Sequence, residues 1–391
     1  MRIAFLMYSF EDLATTSMSF WLSRELVKRG HEVTFVALSR KHRFRSETQV
    51  RDGVRVLLTP RGITGRFHYD GWGPHDILTR LLHLTSETYD VLVTADCRAN
   101  VYLPFRIMKR NGMLRIALWY DRWGDGGLAS GASRFGFQQR LEAGWEKALV
   151  QKAAGVITTS RMLLDLGKEW GVPDSRIRCI PHGSPVDMIQ VVPRKEARRR
   201  TGLEAGGPVI GYMGHTLEQI PAFFPSFKQV IHRHPNTVFL CLGSCVTERS
   251  KVERAGLGRH FHFTGFVPAD ELQDWLACAD LFLIPVVQGS VNDYYRYPGK
   301  LGEYAAAGRP IVAPDVGETG RLIKEEGIGV VACADLADLG DRICELIEDP
   351  ELADRLGMRA RRLAEERLAW PVLADRFEEF IEQVSKDRKG W

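Results

Sequence analysis

No apolar run in this chain approaches the ~20 residues that a membrane-spanning helix needs. The opening residues, Met1-Arg-Ile-Ala-Phe-Leu-Met-Tyr, hold one basic residue and an apolar stretch too short for a secretory leader, so a strand is expected there. Cysteine is sparse. The seven thiols are odd in number and lack the tight spacing of a disulfide framework, which fits reduced cysteines in a cytoplasmic protein. Cys241, Cys245, His260 and His262 follow no common zinc spacing, and Cys241 lies in the apolar run Val238-Phe-Leu-Cys-Leu242, where a thiol acts as a small hydrophobe. No metal site is expected. Neither sign of charge dominates: 53 Lys and Arg stand against 49 Asp and Glu, a net +4 that gives no electrostatic case for nucleic acid. No repeat of 20 to 50 residues and no low-complexity segment is evident, which excludes a solenoid.

The basic residues are nevertheless clustered, at Arg40-Lys-His-Arg-Phe-Arg45 and at Arg194-Lys195 with Arg198-Arg-Arg200. A solvated loop and a solvated helix start explain both, and that reading is preferred. The other reading is attraction to anionic headgroups, at ~1 kcal/mol per basic residue near such a surface.

What the chain does have is a soluble composition, 45% hydrophobic and 26% charged, spread over 391 residues. That length exceeds one ordinary core, so two domains are expected. The apolar segments alternate with helical periodicity from the start. Arg2 to Tyr8 reads as a strand, a helix runs to Lys28-Arg29 and stops at Gly30, and His31-Glu-Val-Thr-Phe-Val-Ala37 is the next strand. This βαβ order implies a parallel sheet. Further strands are expected at 54–59, 90–95, 115–120 and 155–160, then at 208–214, 238–243, 261–264, 281–285 and 327–331. The terminal helix, from Trp370, places Leu373, Phe377, Phe380, Ile381 and Val384 at helical spacing. The loop Trp119-Tyr-Asp121-Arg-Trp-Gly-Asp125-Gly-Gly127 leaves the carboxyl end of a strand, where open α/β sheets bind ligands.

The most informative stretch is Tyr295-Arg-Tyr-Pro298-Gly-Lys300-Leu-Gly-Glu303-Tyr304-Ala-Ala-Ala-Gly308-Arg-Pro310-Ile-Val-Ala-Pro314. Pro298 suits a first helical turn, the alanines favour helix, Gly308 ends it, and Ile311-Val312-Ala313 reads as a short buried strand. Lys300 and Glu303 share one helix face, with Arg296 just outside the start. An exposed i,i+3 ion pair on an amphipathic helix accounts for this spacing. So does an anion-plus-hydroxyl receptor at the positive end of a helix dipole.

The string resembles the P-x-K-x-x-E-Y-x-A-x-G-x-P-x-V-A signature of the GT-B glycosyltransferases related to family 4. The segments Ile180-Pro-His182-Gly-Ser-Pro-Val-Asp187, Phe263-Thr-Gly265-Phe266-Val267-Pro268 and Ala279-Asp280-Leu-Phe-Leu-Ile-Pro285 are similar to the same family. The resemblance implies an α/β fold of two Rossmann-like domains with a cleft between them, the C-terminal helix crossing back to the first. The expected boundaries are 1–185 plus 370–388 for the acceptor domain and 200–369 for the donor domain. It also implies an enzyme that moves a sugar from a nucleotide diphosphate sugar to an acceptor hydroxyl with retained configuration. No cofactor or metal is implied, in keeping with the lack of an Asp-x-Asp pair.

By the same resemblance Glu303 holds the donor ribose, Lys300 the diphosphate, and Asp121 a sugar or acceptor hydroxyl. Gly214, His215, Gly265, Phe266, Val267, Gly289, Ser290, Tyr295, Arg296 and Leu301 line the donor, the turn at 265–267 reading its base. The acceptor is a glycan, a lipid-linked species or a small molecule, in the cytoplasm or at the inner membrane surface as a peripheral contact. This chain departs from the pattern in four places. No glycine follows the first strand, Tyr120 stands where relatives have His, His215 and Ile220 replace an Arg/Lys pair, and Tyr295 replaces the first Glu of an E-x7-E spacing. His182, before a glycine in a turn, reads as structural. A nucleotide-sugar epimerase and a GT-B binding module without catalysis are the alternatives.

Overall fold

The computed structural model describes all residues except 10–16, 40, 63–70, 110–111, 129–134, 215–219, 245–247 and 390–391. The chain divides into two compact units, Met1–Pro181 with Tyr295–Tyr297 and Trp370–Trp391, and His182–Tyr294 with Pro298–Ala369.

The first unit runs β1 (Arg2–Ser9), α1 (Met18–Lys28), β2 (Glu32–Leu38), β3 (Glu47–Arg51), β4 (Val54–Thr59), α2 (Pro74–Ser86), β5 (Val91–Thr94), α3 (Ala99–Ile107), β6 (Leu114–Trp119), α4 (Gly136–Lys152), β7 (Gly155–Thr158), α5 (Arg161–Glu169) and β8 (Ile177–Cys179). Its sheet has the order β3-β4-β2-β1-β5-β6-β7-β8. Every ladder is parallel except β3 with β4. The strand order reverses between β1 and β5, which makes their carboxyl ends a natural ligand crevice.

Strands β3 and β8 and helix α4 lie outside the expectations from sequence. Strand β3 has no apolar alternation. It forms because Asp52 (φ 51°) and Gly53 (φ 79°) make the two-residue left-handed turn that closes a hairpin. Helix α4 buries Gln138, Glu142 and Glu146 before Leu149 and Val150, so most of its inward face is polar and carries no full apolar stripe.

The last helix, Trp370–Lys389, packs within this first unit. Leu373, Phe377 and Phe380 are fully buried beside Ile3, Phe5 and Ile116, with Phe5 and Phe377 ring centres 6.2 Å apart. Trp21 stacks on Trp370 at 5.8 Å, and His31 Nε2 lies 2.6 Å from Glu378 Oε1.

The second unit runs α6 (Arg194–Thr201), β9 (Val209–Met213), α7 (Phe224–Arg233), β10 (Val238–Leu242), α8 (Arg249–Arg254), β11 (Phe261–Gly265), α9 (Leu272–Ala277), β12 (Leu281–Leu283), α10 (Val291–Tyr295), α11 (Leu301–Ala306), β13 (Ile311–Pro314), α12 (Gly317–Glu326), β14 (Gly329–Ala332), α13 (Leu339–Glu348) and α14 (Pro350–Leu363). Its parallel sheet has the order β11-β10-β9-β12-β13-β14. The reversal falls between β9 and β12, and the candidate residues of this half end or follow β9, β11 and β12, or lie at α11. The basic run on α6 is absorbed locally: Arg194 and Arg198 pair with Asp280, Arg199 and Arg200 with Glu196, and Arg200 also with Asp274.

Candidate functional site

Glycine ends three neighbouring strands of the second sheet. The Gly214 amide donates to Leu242 O at 2.9 Å, and the Gly243 amide to Gly265 O at 2.9 Å. Gly243 has φ 107°, and a Cβ there would lie 2.5 Å from Gly214 O. The shelf is therefore bare backbone because side chains do not fit. Beside it Phe266 is 84% exposed and Val267 half-buried. His215 lies outside the described residues. Ile220, where the resemblance looks for a cation, is buried in the core of this unit.

Past β12, exposed Gly289 (φ 89°) turns the chain. Ser290 Oγ accepts from the Asp293 amide at 3.2 Å, so this hydroxyl caps α10. Helix α11 begins at Leu301 rather than at Pro298, whose carbonyl accepts from the Leu301 amide at 2.9 Å. The Leu301 side chain is fully buried and its amide donates to Pro298 O, because the apolar face of a short helix must point into the core.

Glu303 stands on that helix and Lys300 at its N-cap. A Cβ on Gly302 would lie 2.4 Å from Gly183 O, and Ser184 Oγ donates to Gly302 O at 2.6 Å, so the Pro-His-Gly-Ser segment braces α11. His182 Nδ1 sits 3.1 Å from Gly183 O within that brace. Lys300 Nζ lies 4.5 Å from the centre of the Tyr212 ring, a cation–π contact that holds the ammonium at the end of β9. Burial raises the Glu303 carboxyl to about 7, with Lys300 pulling the other way. Among the described residues Glu303 Oε2 is buried without a hydrogen-bond partner. A buried carboxylate oxygen left open is a place for a ligand's hydroxyls.

Asp121 and Arg296 both belong to the first unit, where their charges interact. Asp121 bends away from the end of β6, and burial raises its carboxyl, the charge of Arg296 lowers it, and Asp96 raises it. Tyr120 is held above its usual range by burial, and its hydroxyl bonds Ser19 Oγ. Tyr295 packs against the cluster containing Trp119 and Trp123, and Ser160 Oγ donates to its carbonyl, so its ring serves as packing in this unit. Arg296 thus segregates with the first unit and Lys300 with the second.

One residue escaped the sequence reading. Glu146 on α4 accepts from Trp119 Nε1 at 2.9 Å, from the Trp123 amide at 2.8 Å and from the Gly124 amide at 2.9 Å, and it pairs with Arg122. This one buried carboxylate shapes the loop that carries Asp121. Its only signal was the spacing of Gln138, Glu142 and Glu146, four residues apart on a helix.

Ligand atoms of His234, at the end of α7, and of Cys344 and Glu348 on α13 also lie within 4.8 Å of one another. Arg233 already donates to both oxygens of Glu348, at 2.8 and 2.7 Å, which disfavours a cation there. Cys241 is buried in the core, as an apolar thiol should be.

The chain is similar to known proteins. Residues 207–349 match the family described as glycosyl transferases group 1, and residues 17–183 the glycosyl transferase 4-like domain. The 2-deoxystreptamine glucosyltransferase of Streptomyces kanamyceticus is 27% identical over 250 residues, 61% of either chain. The D-inositol 3-phosphate glycosyltransferase of Thermobispora bispora is 24% identical over 252 residues, 60% of this chain and 56% of that one. The matched region thus spans about 60% of the length of these relatives. Sucrose-phosphate synthase from Thermosynechococcus elongatus superposes with a TM-score of 0.80 at 17% identity, over 98% of this chain and 99% of that one. HepE of Anabaena, solved with UDP and glucose, has a TM-score of 0.73 at 14% identity over 98% and 99%. With both halves matched in order and the fold shared end to end, the chain belongs to the GT-B glycosyltransferases of the family-4-like type.

Proposed function

We propose that this protein transfers a glycosyl group from a nucleoside diphosphate sugar to an acceptor hydroxyl. The observation that carries this is the open, buried oxygen of Glu303 beside the ammonium of Lys300, at the strand ends of the second unit. Ribose hydroxyls donate to the carboxylate, and Lys300 meets the diphosphate as negative charge develops on the leaving group. The glycine shelf lets the backbone approach the nucleotide, and Phe266 offers an exposed aromatic face to a base. The bond from the anomeric carbon to the diphosphate oxygen breaks, a bond to the acceptor oxygen forms on the same face, and the acceptor proton leaves with the diphosphate. Asp121 orients the hydroxyls of an acceptor or transferred sugar. Relatives named for 2-deoxystreptamine and inositol 3-phosphate support a polyhydroxylated acceptor, as a glycan, a glycolipid or a metabolite.

The core position of Ile220 and the packing role of Tyr295 favour one second reading, a nucleotide-binding module without turnover. Thermal-shift titration with nucleoside diphosphates and their sugars tests the proposal. A ligand at a hundred times its Kd stabilises by about 2.7 kcal/mol, and Glu303→Ala is expected to abolish most of that shift. Equal shifts in both proteins, or none in either, overturn the assignment. A shift with no product across sugars and acceptors selects the second reading.

A further inference from the structure

We propose that one sheet edge of the first unit, made of loop 41–46, β3 and the outer face of α2, docks on an anionic lipid bilayer. Lys41, Arg43 and Arg45 are exposed there, and among the described residues none has a carboxylate partner. The nearby acids are committed elsewhere: Glu47 pairs with His42, Asp52 with Arg24 at 3.5 Å, and Glu87 with Arg55. Between and beside these cations stand large apolar side chains in water, Phe44 at 65% exposure, Val50 at 73%, Leu78 at 57% and Leu82 at 60%.

The loop is built, not slack. The Arg61 amide donates to His42 O at 3.1 Å, the Gly62 amide to Arg43 O at 2.7 Å, and the Lys41 and His42 amides to Ser39 Oγ at 3.2 and 3.0 Å. Helix α2 is pinned from behind by buried Asp76, Arg80 and Leu84, which turns Leu78 and Leu82, one helical turn apart, outward. A groove of ≈ 570 Å³ lined by Ser46, Leu57, Thr79, Leu82, His83, Thr85 and Ser86 joins the end of the loop to the helix at Leu82.

Single exposed apolar residues need no explanation, but four on one loop, its edge strand and the helix joined to it, with three unmatched cations on that loop, do. A lipid surface satisfies both, drawing the cations to headgroups and seating the apolar side chains at the acyl boundary. A soluble polyanion leaves Phe44, Leu78 and Leu82 wet. A second copy pairing along β3 brings like charges together.

Co-sedimentation of the full chain with vesicles tests this. Binding is expected to vesicles containing phosphatidylglycerol, weakened by salt, and not to phosphatidylcholine alone. Replacing Lys41, Arg43 and Arg45 together by Ala lowers the partition about a hundredfold, roughly fivefold per residue. Leu78→Ser with Leu82→Ser lowers it at unchanged charge. Both variants alter exposed positions, so they keep the wild-type melting midpoint and nucleotide response, which separates this proposal from the glycosyltransferase reading. Equal binding to both vesicle types, or to neither, overturns it. So does heparin binding that matches vesicle binding and ignores Leu78 and Leu82, or a concentration-dependent dimer that vesicles do not dissociate.

Discussion

Tyr304 Oη accepts a hydrogen bond from the Met213 amide at 2.7 Å, and its ring stacks on Phe282 with 3.9 Å between centres. Through this one side chain the residue after Glu303 is fastened to the end of β9, next to the glycine shelf. Tyr304→Phe keeps the stacking and leaves a buried amide without its acceptor, at a cost of about 1–3 kcal/mol. Chemical denaturation is expected to show that loss, and nucleotide titration a weaker affinity, since the shelf and α11 no longer hold register.

Glu303 makes nucleotide binding depend on pH. The free carboxyl, raised to about 7, keeps its proton in mildly acid solution, whereas donated ribose hydroxyls favour the ionised form. Affinity therefore rises about tenfold per pH unit on approaching 7 and levels above it, and calorimetric titration of Glu303→Gln shows a flat profile. For the unliganded protein the sign is opposite. The folded state holds this proton to higher pH than a carboxyl at the ordinary 4.5, so its contribution to stability is full below 4.5 and lost as pH rises through about 7.

Asp76 and Arg80 form a fully buried pair beneath the carboxyl end of β1. Arg80 Nε donates to Asp76 Oδ1 at 2.6 Å and Nη1 to Met7 O at 2.8 Å, while Asn100 Nδ2 donates to Asp76 Oδ2 at 2.7 Å. Arg80→Met strands a buried carboxylate and is expected to cost roughly 3–5 kcal/mol in urea unfolding. Arg80→Met with Asp76→Leu recovers part of that. A double variant less stable than the wild type shows that the pair contributes net stability over apolar side chains, whereas one less stable than the single overturns the stranded-carboxylate account.

Gly302→Ala separates close packing from helix propensity. Its Cβ meets Gly183 O at 2.4 Å, backbone against backbone, so a loss of about 1–3 kcal/mol is expected. Gly144→Ala, on the exposed face of α4 with nothing within 4 Å, is expected to gain about 0.5–1 kcal/mol. Paired thermal melts of the two variants check both signs.

Two basic clusters that look alike in sequence part ways in three dimensions. Arg194, Arg198, Arg199 and Arg200 meet Glu196, Asp274, Asp280 and Asp354, carboxylates up to 160 positions away along the chain. Among the described residues, Lys41, Arg43 and Arg45 meet none. Pairing of charges is decided by long-range neighbours, so composition alone preferred a solvated role for both.

Local chemistry sufficed for the two runs of alternating strands and helices, the glycines that end β9 and β11, and the helix bearing Lys300 and Glu303. Those features follow from periodicity, turn residues and propensity, all carried within a few residues. Folding alone decided that Leu301 turns inward, that Ile220 joins a core, that Tyr295 and Arg296 side with the first unit, and that Glu146 shapes the loop of Asp121. Folding also left one oxygen of Glu303 buried and open. Burial and the identity of a partner depend on contacts between distant segments, and no pattern within a single segment contains them.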